Sequence, residues 1–223
     1  MPQPTRLTIL TALLKTGLVP LFFHPDPDTA CHIVEACLDG GARTIEFTNR
    51  GVRAHLVFEQ VARRFENDER LLLGAGSIVE PGTASIYMQL GASFIVSPLL
   101  NPEVVRVCNR CKIACLPGCG SVSEISQAEE LGVEICKIFP GGAVGGADFI
   151  KSVCAPLPWS HLMPTGGVDP TEPSITKWFE AGVCAVGIGG KLIREDWIAS
   201  GNFSAITDLV KATLFWIQTA RTK

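Results

Sequence analysis

Lys137 lies in the apolar run Val133-Glu134-Ile135-Cys136-Lys137-Ile138-Phe139-Pro140, which leads into the glycine-rich stretch Gly141-Gly142-Ala143-Val144-Gly145-Gly146. Burying an ammonium costs several kcal/mol unless it is paired, so a lysine here stands either at a solvated strand end or is kept for its chemistry. Desolvation favours the neutral amine, a nucleophile for carbonyl carbon. This segment alone weighs the two readings evenly. Glu46 is the second residue of interest. Alternation in Thr44-Ile45-Glu46-Phe47-Thr48 puts Thr44, Glu46 and Thr48 on one face and Ile45 and Phe47 on the other. By itself Glu46 reads as half of a core ion pair. Beside an inward lysine it becomes an acid/base group.

Arg50, just beyond, has the fork geometry to bind a carboxylate in bidentate fashion, although a lone loop arginine is commonly a surface residue. Thr165-Gly166-Gly167 and Gly187-Ile188-Gly189-Gly190 offer backbone N–H groups to a phosphate, and Lys191 adds charge or simply opens a solvated turn. Other chemistries fit poorly. His24, His32, His55 and His161 lack metal-protease spacing, and no G-x-S-x-G elbow occurs. Gly74-Ala75-Gly76 does not continue into the G-x-G-x-x-G dinucleotide fingerprint. Cys108 and Cys111 have C-x-x-C spacing, but a strand from Lys112 puts Cys111 and Cys119 about 25 Å apart, too far for one zinc. Buried free thiols are expected instead.

These residues need a scaffold, and the chain supplies a repeating one. Strand-like runs fall at Val19–Phe23, Arg43–Thr48, Leu71–Gly76, Ser93–Ser97, Lys112–Leu116, Glu134–Phe139, His161–Thr165 and Ala185–Gly189. Amphipathic stretches lie between them at Thr29–Leu38, His55–Asn67, Pro81–Leu90, Pro102–Asn109, Val122–Leu131, Asp148–Val153 and Glu172–Ala181. Ser121 and Glu124 form a capping box. Helices over Thr5–Thr16 and Phe203–Thr219 complete the layout. Strand-helix units without a linker predict an α/β fold: one (β/α)8 TIM barrel over residues 1–223, with an extra N-terminal helix. A flavodoxin-like open sheet is the structural alternative, disfavoured by the strand count. In a barrel, Ile135, Lys137 and Phe139 share the inward face, and the Gly, Pro, Thr and Ser residues that end several strands sit where active-site loops begin.

With 47% hydrophobic and 18% charged residues the chain can bury a substantial core. A net charge of -3 without basic clusters argues against nucleic acid or an anionic membrane surface as partner, and leaves small anionic metabolites. No apolar run reaches the ~18 residues of a membrane span, and an export signal is missing, so a cytoplasmic protein with reduced thiols is expected.

The segments GARTIEFTNRG (41–51), GAGSI (74–78), SPLL (97–100), LPGCGSVSE (116–124), CKIFPGG (136–142), MPTGGV (163–168) and VGIGGKLI (186–193) resemble the ordered motifs of the 2-dehydro-3-deoxy-phosphogluconate / 4-hydroxy-2-oxoglutarate aldolases. The resemblance spans nearly the whole chain. It implies a class I aldolase barrel, a homotrimer, with no metal or other cofactor, acting on a small-molecule 2-keto acid. Carried over, it makes Lys137 the Schiff-base lysine and Glu46 the general acid/base, with Arg50, Ser77 and Thr165 on the keto-acid head. It also implies that Thr48, Pro98, Phe139, Gly166, Gly167, Gly189, Gly190 and Lys191 line the substrate site. The expected reaction splits a 2-keto-3-deoxy (phospho) sugar acid or 4-hydroxy-2-oxoglutarate into pyruvate and an aldehyde. Two departures bear on the distal end of the substrate: Gly190 stands where the family commonly has a serine, and Gly141-Gly142 where many members have Ala-Glu. A phosphate-binding isomerase or epimerase, and a catalytically silent keto-acid-binding barrel, are the competing readings.

Overall fold

The computed structural model describes residues 4–222. In chain order the elements are α1 (Arg6–Thr16), β1 (Leu18–Phe22), α2 (Pro27–Asp39), β2 (Thr44–Thr48), α3 (Ala54–Arg64), β3 (Leu72–Gly76), α4 (Pro81–Gln89), β4 (Phe94–Val96), α5 (Pro102–Cys111), β5 (Ala114–Leu116) and β6 (Gly118–Cys119). There follow α6 (Val122–Glu130), β7 (Cys136–Ile138), α7 (Gly146–Cys154), β8 (Leu162–Pro164), α8 (Glu172–Glu180), β9 (Val186–Ile188), α9 (Glu195–Ala199) and α10 (Phe203–Arg221).

All strand pairs are parallel, in two runs, β5-β4-β3-β2-β1-β9 and β6-β7-β8. The runs join at both ends. β5 and β6 are one strand interrupted at Pro117, which has no N–H to give a ladder. On the other side Thr165 bridges Gly187, and Cys184 N–H donates to Leu162 O at 3.0 Å. The sheet therefore closes as a (β/α)8 barrel with the expected extra N-terminal helix. α10 packs between α8 and α2 and completes the outer ring.

Helix starts follow local chemistry. Asp26, Glu80 and Asn101 cap α2, α4 and α5, each followed by a proline in the first turn. The capping box opening α6 forms with a shifted return arm: Ser121 Oγ accepts from Glu124 N–H, while Glu124 Oε2 accepts from Gly120 N–H at 2.9 Å. The fifth strand starts later than expected. Lys112, placed in a strand by its alternation, is the left-handed C-cap of α5 with φ 58°, and the ladder begins at Ala114. The short helix α9 has no counterpart in the sequence pattern.

Two apolar layers result. One lies between sheet and helices and includes Ile45, Phe47, Cys136 and Ile138. The other fills the barrel interior with Leu72, Phe94, Val96, Leu116, Ile135 and Met163, and takes in Ile9, Ala12 and Leu13 of α1. α1 is thus the plug of the N-terminal end. Arg6 ties it down through Asn109 Oδ1 (2.6 Å), Gly132 O (2.8 Å) and Glu134 Oε2 (2.6 Å). With one end sealed, the open end is the C-terminal mouth. Among the described residues no helix is long and apolar enough to cross a membrane.

Candidate active site

Inward alternation holds where the chemistry needs it. Ile45 and Phe47 pack against the helices, which turns Thr44, Glu46 and Thr48 into the barrel. Ile135 lies in the interior layer while Cys136 and Ile138 lie in the outer one, which turns Lys137 inward. Lys137 and Glu46 are 5% and 1% exposed, and Lys137 Nζ stands 3.9 Å from Glu46 Oε1. The Phe139 ring lies 5.2 Å from the same Nζ, within cation–π range. Two buried polar atoms on this inward face have no hydrogen-bond partner among the described residues, Glu46 Oε2 and Thr165 Oγ1. Unpartnered buried acceptors are costly, and at a barrel mouth they mark where a ligand's polar groups belong.

Glycines make room for these side chains. A Cβ on Gly76 would fall 1.8 Å from Glu46 Oε1, and one on Gly187 would fall 2.4 Å from Thr165 Oγ1. At Gly118, the register partner of Lys137, it would meet the Pro98 carbonyl at 2.3 Å. Gly187 belongs to the glycine turn read above as a phosphate site, but its role here is to clear space for Thr165. The readable signal is the period-2 pair Gly74 and Gly76 at the end of a strand, which empties one face opposite Glu46.

Around this centre the expected site residues take distinct places. Arg50 is exposed just past β2, with no ion-pair partner among the described residues. Its strand end is pinned by Tyr87, whose hydroxyl donates to Asn49 Oδ1 at 2.9 Å, a contact the sequence pattern did not suggest. Ser77 follows β3 half-buried at φ 59°, a left-handed conformation uncommon outside glycine and frequent at functional sites. Thr48 Oγ1 donates to Phe22 O at 3.1 Å, which joins β1 to β2. Pro98 is half-buried at the end of β4.

The distal side is built from backbone. Gly141 N–H donates to Thr165 O (2.9 Å) and Gly142 N–H to Gly166 O (2.8 Å), zipping the loops after β7 and β8 together. A Cβ on Gly167 would fall 2.6 Å from Gly142 Cα, so the approach depends on glycine on both sides. Gly166, Gly167 and Gly190 are exposed, Gly189 is half-buried, and a Cβ at Gly190 meets nothing within 4 Å. Lys191 Nζ pairs with the Asp169 carboxylate on the neighbouring loop. Behind the zipped loops lies a cavity of about 320 Å³ bounded by Ala147, Lys177 and Trp178. Another, about 710 Å³, opens at the plugged end between α1, α3 and α4, beside Arg43, Leu72 and Ser93 at strand starts and away from Lys137.

A buried inward lysine facing a buried carboxylate at the mouth of a (β/α)8 barrel is the arrangement of a class I, imine-forming carbon–carbon lyase. Comparison with known proteins agrees. The family model "KDPG and KHG aldolase" matches residues 9–209. The chain is 31% identical over 209 residues to the 2-dehydro-3-deoxy-phosphogluconate aldolase of Treponema pallidum, covering 93% of this chain and 97% of that one. It is 27% identical over 206 residues to the KHG/KDPG aldolase of Escherichia coli, covering 92% and 94%. A solved KDPG aldolase from Legionella pneumophila, with pyruvate captured as a covalent carbinolamine, superposes with a TM-score of 0.81 at 28% identity, covering 91% and 96%. The chain belongs to the KDPG and KHG aldolase family, class I carbon–carbon lyases.

Proposed function

We propose that this protein cleaves a 2-keto-4-hydroxy acid to pyruvate and an aldehyde through an imine on Lys137. The observation that carries the reading is the 3.9 Å approach of Lys137 Nζ to Glu46 Oε1 inside a plugged barrel. The neutral amine of Lys137 adds to the C2 carbonyl, and loss of water gives an iminium. Glu46 takes the C4 hydroxyl proton, the C3–C4 bond breaks, and its electron pair moves to the iminium as an enamine. The aldehyde departs. Glu46 returns the proton to C3, and water hydrolyses the iminium to release pyruvate and free the lysine. Positioned acid/base help of this sort contributes about 10²–10⁴ in rate.

Arg50 and Ser77 receive the carboxylate, and Thr165 Oγ1 contacts the keto-acid head. Thr48, Pro98 and Phe139 shape the wall, and Gly166, Gly167, Gly189, Gly190 and Lys191 receive the distal end. The aldehyde is glyceraldehyde 3-phosphate from a phosphorylated sugar acid or glyoxylate from 4-hydroxy-2-oxoglutarate. We place the enzyme in the cytoplasm as a homotrimer. Val52, Val79 and Leu99, on the loops after β2, β3 and β4, and Val122, which opens α6, are 93%, 48%, 45% and 46% exposed, an apolar rim suited to a second copy. Light scattering giving a monomer mass would remove the trimer.

The decisive test is reduction. Pyruvate with borohydride should leave a stable adduct on the Lys137 peptide, and an unmodified Lys137 peptide would sink the reading.

A further inference from the structure

The ion pair between Lys191 and Asp169 joins the two loops that hold the glycine turns after β8 and β9. Asp169 is fixed from behind, its N–H donating to Ser174 Oγ at 3.1 Å. The side chains are 61% and 47% exposed, so solvent screens the pair and it holds loosely. Gly190 leaves open space beside it. Gly166, Gly167 and Gly190 contribute no side chain, which makes Lys191 the cation of these two turns and Asp169 its resident anion.

We infer that Asp169 is a specificity-determining residue that acts by competing with the substrate's distal anion for Lys191. This rests on the proposed aldolase reading and sharpens its substrate class. A terminal phosphate dianion brings more charge than one carboxylate and draws Lys191 away from Asp169. A neutral terminal hydroxyl leaves the pair closed. Asp169 remains close as a like charge and limits how strongly phosphate is preferred. The enzyme therefore accepts both phosphorylated and unphosphorylated 2-keto-3-deoxy acids with a moderated preference for the former.

The test compares kcat/KM for a 2-keto-3-deoxy sugar acid and for its terminal phosphate ester in the full-length protein. Asp169→Asn should raise the ester-to-acid ratio about twofold to fivefold, the range of an exposed ion pair, through the KM of the ester rather than kcat. Asp169→Glu should restore the original ratio. Lys191→Ala should lower the ratio, and adding Asp169→Asn to it should produce no further rise. Added salt should compress the differences. An unchanged ratio in Asp169→Asn, or a rise that persists without Lys191, overturns this inference alone. Wild-type enzyme that turns over neither compound overturns it, and the aldolase reading falls with it only if 4-hydroxy-2-oxoglutarate is not cleaved either.

Discussion

Gly76 and Glu46 occupy one space between them: the Glu46 carboxylate lies where the Cβ of any other residue at 76 would stand, 1.8 Å from Oε1. The carboxylate keeps its place over β3 because that strand has no side chain there. Gly76→Ala is expected to displace Glu46 from Lys137 and lower kcat by about 10² or more, since general acid/base catalysis is lost with position. Overpacking should cost about 1–3 kcal/mol of stability. Wild-type kcat in Gly76→Ala would show that Glu46 need not sit there.

Glu46→Gln keeps the shape and removes the base. Lys137 is untouched, so borohydride should still trap pyruvate, while kcat should fall about 10²–10⁴. Loss of the adduct together with turnover would assign Glu46 to imine formation alone.

The buried thiols predict an alkaline limit. Burial pushes Cys37 from its ordinary 9.0 up to about 12. Burial also raises Cys184 to about 12 against the opposing charge of Arg221. These groups stay protonated in the fold and ionise in the unfolded chain, so the folded pKa is the raised one. Their stabilisation is intact below pH 9 and declines as pH rises through the window from 9.0 to about 12. For the fully buried Cys37 the slope is about 1.4 kcal/mol per pH unit. Tm should drop above the ordinary thiol pKa, and Cys37→Ala should flatten the drop. In native protein, alkylation should mark exposed Cys111 and spare Cys37. Early labelling of Cys37 would contradict its burial.

Arg6 is the lock of the plug. Arg6→Ala removes its bonds to Asn109, Gly132 and Glu134 and should cost about 2 kcal/mol, a Tm loss of about 4–8 °C for a chain of this size. Pyruvate trapping on Lys137 should survive at low temperature. An unchanged Tm would mean α1 is held by Ile9 and Leu13 alone.

Strand alternation made the inward faces of β2 and β7 legible, because a period of two leaves no choice once Ile45, Phe47, Cys136 and Ile138 take the outer layer. The number of barrel strands was readable from the apolar runs that alternate with amphipathic stretches along the chain. The interruption at Pro117 was not, since Leu116-Pro117-Gly118 reads equally well as a strand ending in a turn. The need for Gly76 was visible only in part: the period-2 pair Gly74 and Gly76 marks an emptied face, but the side chain that fills it, Glu46, lies on the neighbouring strand. The partner of Lys191 was hidden likewise, as Asp169 belongs to another loop.

The plug formed by α1 has a kinetic meaning. A tube closed at its base works last in, first out. In the proposed reaction the pyruvate moiety stays covalently held on Lys137 when the C3–C4 bond breaks, while the aldehyde fragment is free to leave. Release is therefore ordered, aldehyde before pyruvate, and free enzyme is the form that pyruvate rebinds. Added pyruvate should compete with substrate, and the aldehyde should trap the enamine instead, driving the carbon–carbon bond back together.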